Sequence, residues 1–371
     1  MTLTPLQQRC ADWLLARHGG VMPLKVGGGK TFVGMHVLDT THNNPQLQSL
    51  IICPAILKYQ WQRELATHLP RLTIQVIDGT FIEREKQLLT QASIYIINYE
   101  QLRSHYTIIT KHDYRVIILD EAHKISSPNT LTPIGRQHKR KKVPLTSMDY
   151  TISKLARELK ATYKVALTGT PISNQPSELW SLLAWLNPEY AGSYWKFTQT
   201  YCTFNMWGGV SGSKNLDKLR DFIKPYVYQI TEEALPNLKV ADDILVEFEL
   251  SEEEVVLYEK VRLVLLFEIQ DEFSKVKHKS QIQNALTKAL RLQQLTASME
   301  LLGESTTSSK VTTLRSLLTT LPHKALIYTR FAEYADILER ELAEFKPLKL
   351  SGKVKAKDRQ LIVDLFNQEN E

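Results

Sequence analysis

Two stretches hold residue types suited to phosphate chemistry. The first is Gly27-Gly28-Gly29-Lys30-Thr31, and the second is Val116-Ile117-Ile118-Leu119-Asp120-Glu121-Ala122-His123. Glycines let backbone N–H groups close around phosphate oxygens without Cβ clashes, and a helix starting there adds positive partial charge. Lys30 can reach β- and γ-phosphates, and the Thr31 hydroxyl can ligate Mg²⁺. The full pattern wants a glycine where Leu24 stands, so only its second half matches. The run from Val116 to Leu119 reads as a strand buried on both faces. Carboxylates at its end stand where open α/β sheets form their ligand crevice. Asp120 is placed to hold Mg²⁺, directly or through water, and Glu121 to orient or deprotonate a water. Each stretch alone has a plainer alternative: a flexible glycine turn beside a surface lysine, and a strand followed by an acidic helix N-cap.

The surrounding elements must position these groups. Pro5-Leu6-Gln7-Gln8 opens a helix carrying Trp13, Leu14 and Leu15. Short apolar runs follow at Leu50 to Cys53, Thr73 to Ile77, Ile94 to Tyr99 and Tyr163 to Leu167, separated by helical stretches. That alternation predicts an α/β fold with a parallel sheet and helices on both faces. The last of these runs ends in Thr168-Gly169-Thr170-Pro171. Its hydroxyls could hydrogen-bond the carboxylates or a phosphate, or form a plain turn. Trp61, on the helix after Cys53-Pro54, reads as a core or lid aromatic.

In order, Gln7, Gly27 to Thr31, Ile52-Cys53-Pro54 with Trp61, Asp120-Glu121-Ala122-His123 and Leu167 to Asn174 resemble the motifs of superfamily-two helicases. The tail Glu178-Leu179-Trp180-Ser181-Leu182-Leu183 resembles the Swi/Snf branch in particular. That branch comprises ATP-driven double-stranded DNA translocases, remodellers and branch-migration enzymes. The small, domain-poor chain is similar to phage or bacterial members. The resemblance implies a RecA-like lobe over residues 1–179, a helical Swi/Snf-type insertion over 180–305 and the start of a second RecA-like lobe over 306–371. It implies ATP and Mg²⁺ as cofactors. Gln7 would read adenine, and Gly27, Gly28, Gly29, Lys30 and Thr31 would hold phosphate. Thr31 and Asp120 would hold the metal, and Glu121 would activate water. His123, Thr168, Gly169 and Thr170 would couple nucleotide state to DNA. The implied partner is double-stranded or branched DNA. An alternative is a nucleotide- and DNA-binding module without efficient hydrolysis.

Composition agrees with a globular protein: 371 residues, 43% hydrophobic and 23% charged. Three scattered cysteines, Cys10, Cys53 and Cys202, exclude a disulfide framework or zinc knuckle and suit a reducing compartment. The N-terminus lacks the plan of a signal peptide, and no run of about 18 apolar residues suggests a membrane span. The expected location is the cytoplasm of a prokaryote or of a virus-infected cell, or the nucleus if the source is eukaryotic. The net charge of +6 permits a polyanion partner without demanding one.

The positive charge is concentrated at Arg136, Lys139, Arg140, Lys141 and Lys142, in a polar segment longer than the family's usual link. DNA contact, a solvated loop and a nuclear-import patch are all open for it. The aromatic cluster from Trp185 to Trp207 reads as a packed helical subdomain and not a base-stacking platform. Ser251 followed by three glutamates reads as the N-cap of a long helix. Where relatives often carry paired arginines, near Tyr226 to Gln229, there are none. Lys324 to Phe331 and Leu348 to Gly352 resemble the first strands of lobe two, with Thr329, Arg330 and Gly352 as candidate DNA contacts. By family size about 80–110 further residues, including the arginine finger, complete that lobe. A second chain completing it is a candidate partner.

Overall fold

The computed structural model describes all residues except 1, 26, 45, 127–151, 170–174, 207, 230–243, 275–289, 292, 304–307, 355 and 369–371. The chain forms two compact units, Met1–Lys239 and Val240–Glu371. No helix among the described residues is long and apolar enough to cross a membrane.

The first unit is built on a six-stranded, wholly parallel sheet. Its strands are β1 (Gly19–Met22), β2 (Ser49–Cys53), β3 (Ile74–Val76), β4 (Ile94–Asn98), β5 (Tyr114–Asp120) and β6 (Ala161–Leu167), in the order β1-β6-β5-β2-β4-β3. Alternate residues of the apolar runs enter different cores, because successive strand side chains point to opposite faces. Ile51, Ile96, Ile118 and Val165 pack with Leu14 of α1 (Pro5–Ala16), Val33 and Leu38 of α2 (Lys30–Thr41), and Trp61 and Leu65 of α3 (Lys58–His68). Leu50, Ile52, Ile97, Ile117 and Leu119 pack on the other face with Leu102 and Leu155. Helices covering both faces explain why these strands read as unbroken apolar runs.

The boundary expected after Leu179 falls inside one helix, Ser177–Leu186. That helix sends Leu182 and Trp185 into the core beneath the sheet. Further on, Val21 N–H donates to Tyr226 O at 2.7 Å and Tyr228 N–H to Val21 O at 3.0 Å. This bridge covers the open edge of β1, which otherwise exposes unpaired backbone groups. The segment 180–228 is therefore bound into the sheet unit. Its aromatics divide: Phe197 and Tyr201 are buried with Trp180, Trp185 enters the core beneath the sheet, and Trp195 is 70% exposed; Trp207 lies outside the described residues.

The second unit contains the helices Glu252–Ser274, Ser309–Thr320, Ala332–Glu341 and Ala356–Gln368. Ser251 caps the first of them: its Oγ accepts from Glu254 N–H, and Glu254 Oε2 accepts from Ser251 N–H. Glu254 also accepts from Ser309 N–H at 3.0 Å, which joins this helix start to the next helix. A small core gathers Val311, Tyr334, Ile337 and Leu338. The strands expected at 324–331 and 348–352 carry no ladder hydrogen bonds among the described residues. A continuous apolar run becomes a parallel strand only when both faces are covered. Here Leu326 is 67% and Tyr328 88% exposed.

Lys58 illustrates how loops beyond the strand ends are fixed. Its buried ammonium donates to Ile77 O at 2.8 Å and lies 3.2 Å from Asp78 Oδ1. The Tyr59 hydroxyl donates to Asp78 Oδ2 at 2.6 Å. Burial by itself would raise the Asp78 carboxyl, but the Tyr59 and Lys58 contacts outweigh it and hold the group below its ordinary value. Stability from a carboxylate depressed in this way is present above its unfolded value and lost as pH falls through the folded one. Lys58→Met is expected to cost about 1–2 kcal/mol near neutral pH. It should also flatten the loss of stability on acidification below about pH 4. Urea unfolding at stepped pH checks both; an unchanged acid limb contradicts the assigned pair.

Candidate functional site

Every group singled out for phosphate chemistry that lies among the described residues belongs to a carboxyl end of β1, β5 or β6, or to the loop or helix beside it. After β1 the chain turns through Gly27 and Gly29, whose φ angles of 80° and 78° are left-handed. Gly29 is the N-cap of α2, so Lys30 and Thr31 occupy that helix's first turn. A side chain at Gly29 would meet a second obstacle: its Cβ would lie 2.1 Å from Gln7 Nε2.

Gln7 reaches this loop from α1. Its Oε1 accepts from Thr4 N–H at 2.9 Å, and the Thr4 hydroxyl accepts from Gln7 N–H, forming a capping box. Its Nε2 points at Gly28 O, 3.5 Å away. The expected base-reading residue thus leans directly on the phosphate-type loop.

At the end of β5, Asp120 is 5% exposed. Trp61 Nε1–H donates to its Oδ2 at 2.8 Å, and Glu121 N–H donates to its Oδ1 at 3.0 Å. The buried Tyr99 hydroxyl donates to its backbone carbonyl at 2.7 Å. Desolvation raises the Asp120 carboxyl, opposed by the Trp61 bond and by Lys30, while Glu121 adds to the rise. Glu121 leaves the strand with φ 51°, a left-handed backbone that non-glycine residues seldom adopt. Its carboxylate lies 3.2 Å from Lys30 Nζ through Oε1 and 3.3 Å from His123 Nδ1 through Oε2. Lys30, Asp120, Glu121 and His123 are therefore brought together.

Thr168 is fully buried at the end of β6, and its N–H donates to Met22 O at 3.2 Å, so it ties two strand ends. Gly169 follows it half-buried. Thr170 and the basic residues Arg136, Lys139, Arg140, Lys141 and Lys142 lie outside the described residues. In the second unit, Arg330 donates to Gln293 Oε1 at 2.7 Å, Thr329 Oγ1 accepts from Phe331 N–H, and Gly352 O accepts from Arg359.

Among the described residues there is no cluster of three or more His, Cys, Asp or Glu that could cage a metal. One buried carboxylate and one threonine hydroxyl beside a phosphate-type loop nevertheless fit Mg²⁺. This hard cation keeps several waters and takes one or two protein oxygens together with phosphate oxygens.

The SNF2-related domain model matches residues 6–134 and 144–301. The chain belongs to the SNF2-related domain family. An uncharacterized ATP-dependent helicase of Mycoplasma genitalium is 26% identical over 100% of this chain and 34% of its own length. The DNA repair and recombination protein RAD26 of Saccharomyces cerevisiae is 24% identical over 98% of this chain and 39% of its own. The chain thus spans roughly a third of the length of these curated SNF2-related relatives. Among solved structures, the SWI2/SNF2 ATPase core of Sulfolobus solfataricus in complex with dsDNA is 25% identical with a TM-score of 0.51. The match covers 100% of this chain and 76% of that one.

Sequence reasoning missed the partners of Asp120. Trp61 read as packing, and nothing in its neighbourhood signals a hydrogen bond to a residue so distant in sequence. Tyr99 carried a positional signal, since it directly follows β4 and so stands at the crevice end of the sheet. Gly29→Ala should cost about 1–2 kcal/mol of stability from its left-handed backbone alone. Adding Gln7→Ala should relieve the collision but leave that cost. Urea midpoints of the single and double variants separate the two contributions, and a wild-type midpoint in Gly29→Ala would contradict both.

Proposed function

We propose that this chain is the nucleotide-binding part of an ATP-driven motor of SNF2 type that moves along double-stranded or branched DNA. The observation that carries the reading is the convergence of Lys30, Asp120 and Glu121 at one end of the parallel sheet, beside the glycine loop. Membership of the SNF2-related family supports ATP as the nucleotide. The dsDNA held by the Sulfolobus ATPase core supports duplex DNA as the polyanion.

On this reading, backbone N–H groups of Gly27 to Lys30 hold the phosphates, and Gln7 reads adenine. Thr31 and Asp120 would hold Mg²⁺, which would neutralise charge on the phosphate oxygens. Lys30 competes between the Glu121 carboxylate and a phosphate, and the more highly charged phosphate wins it. Glu121, released from Lys30, keeps His123 beside it and is free to orient and deprotonate the attacking water. Thr168, Gly169 and Thr170 lie on the chain that links β6 to the next helix, which suits a role in relaying nucleotide state. The five basic residues from Arg136 to Lys142, with Thr329, Arg330 and Gly352, are the proposed DNA contacts.

Lys30→Ala should abolish tight binding of a nonhydrolysable ATP analogue. Glu121→Gln should keep binding while lowering turnover by about 10²–10⁴-fold. Calorimetry with turnover assays on duplex, forked and four-way DNA checks both, and equal loss of binding in the two variants would contradict the roles. Replacing the five basic residues with serine should make the log–log salt dependence of DNA binding shallower by about 4. An unchanged slope would show that these residues meet no phosphate.

A further inference from the structure

Trp61 is among the largest fully buried side chains, at 1% exposure, yet its one polar atom is spent on a single group. That group is Oδ2 of Asp120, 2.8 Å away. The ring's far edge reaches α2: a Cβ built on Gly34 would lie 3.2 Å from Trp61 Cη2 and equally close to Ile118 Cδ1. Gly34 stands one turn after Thr31 on the helix that begins at the glycine loop. One rigid indole therefore spans from that helix to the carboxylate at the end of β5. The absent side chain at Gly34 is what lets it fit.

The donors at Asp120 are arranged to leave a defined face. Oδ1 takes the Glu121 N–H and Oδ2 takes the indole N–H, so each oxygen retains a lone pair while rotation of the carboxylate is blocked. The Tyr99 hydroxyl fixes the backbone carbonyl of the same residue. Outer partners of this kind orient metal-binding carboxylates, and losing one typically costs about 10–100-fold in metal affinity or activity.

We infer that Trp61 is a positioning residue for divalent-cation binding: its indole N–H orients Asp120, and its ring sets the spacing between Asp120 and the helix carrying Thr31. This rests on the metal role proposed for Asp120 and Thr31. Two replacements remove the N–H, and the second removes nothing else of the ring's shape. Trp61→Phe keeps an aromatic ring, and 3-benzothienylalanine at position 61 keeps the full bicyclic shape with sulfur in place of N–H.

The readout is the affinity of a nonhydrolysable ATP analogue, by calorimetry, across a Mg²⁺ titration. In both replaced chains the affinity without Mg²⁺ should stay within about twofold of wild type. The Mg²⁺ concentration giving half of the affinity gain should rise about 10–100-fold. Unchanged Mg²⁺ dependence in a folded replaced chain overturns the inference. So does an equal loss of affinity with and without Mg²⁺ in the benzothienyl chain, because that marks a packing role. Should Trp61→Phe fail to fold, the benzothienyl chain decides alone. A wild-type chain that binds the analogue but gains nothing from Mg²⁺ removes the metal site itself, and Trp61's role with it; this outcome is visible before any replacement is made.

Discussion

A carboxylate is buried at the end of a strand whose preceding residues, Val116 to Leu119, are entirely inaccessible to solvent. Taking an ionised carboxyl out of water is costly unless donors replace the water. Three elements converge to offset that cost. The indole N–H comes from α3 and the amide N–H from a left-handed Glu121, while the charge of Lys30, in the first turn of α2, favours the ionised form. The left-handed turn has a purpose in this light. An extended Glu121 would continue the strand direction; the observed turn takes the chain out of the strand just after the N–H that meets Asp120 Oδ1, and its carboxylate lies beside Lys30. Strain at one residue is sustained because the surrounding contacts over-determine it.

The same constraint explains the sheet order. The Asp120 strand is central, between β6 and β2, where helices cover both faces and water is excluded. The glycine loop follows β1, at one edge, with only β6 between it and β5. Thr168 sits at the end of that intervening strand and is bonded to the end of β1 through Met22. The edge strand that precedes the loop is itself closed by the Tyr226–Tyr228 segment. Residues well past the helix Ser177–Leu186 thus hold the base of the glycine loop, which makes that part of the chain structurally inseparable from the site.

Much of this was legible in the sequence because it depends on local rules. Glycines before Lys-Thr, unbroken apolar runs between helical stretches and carboxylates at a run's end each follow from short-range chemistry. The strands of the sheet, and the placing of Lys30 and of Glu121 at its crevice end, could be read from those rules together. What could not be read is non-local. Trp61 looks like any core aromatic until the fold brings its nitrogen to Asp120. The 180–228 segment reads as a separate helical region, since helical periodicity does not reveal that Trp185 and Val227 complete another element's core. The run Lys324 to Phe331 has strand composition, but composition supplies neither neighbour nor cover, and Leu326, Ile327 and Tyr328 stand exposed.

On the proposed reading, Gln7 would link the base and phosphate ends of the site through one side chain. Its Oε1 is engaged by Thr4 N–H in the cap of α1, and its Nε2 faces Gly28 O in the glycine loop. Reading adenine, as proposed, requires that amide to offer a donor and an acceptor to the base. The oxygen has a second lone pair and can serve the base without leaving the cap. The nitrogen has two hydrogens, so one can stay toward the loop while the other meets the base. On that reading, a base that drew the amide away from Gly28 would loosen the turn proposed to hold phosphate, whereas one that accepted the available hydrogen would leave the contact in place. Discrimination at the base and closure at the phosphates would then be coupled, because the residue proposed to read one is packed, atom against backbone, on the other.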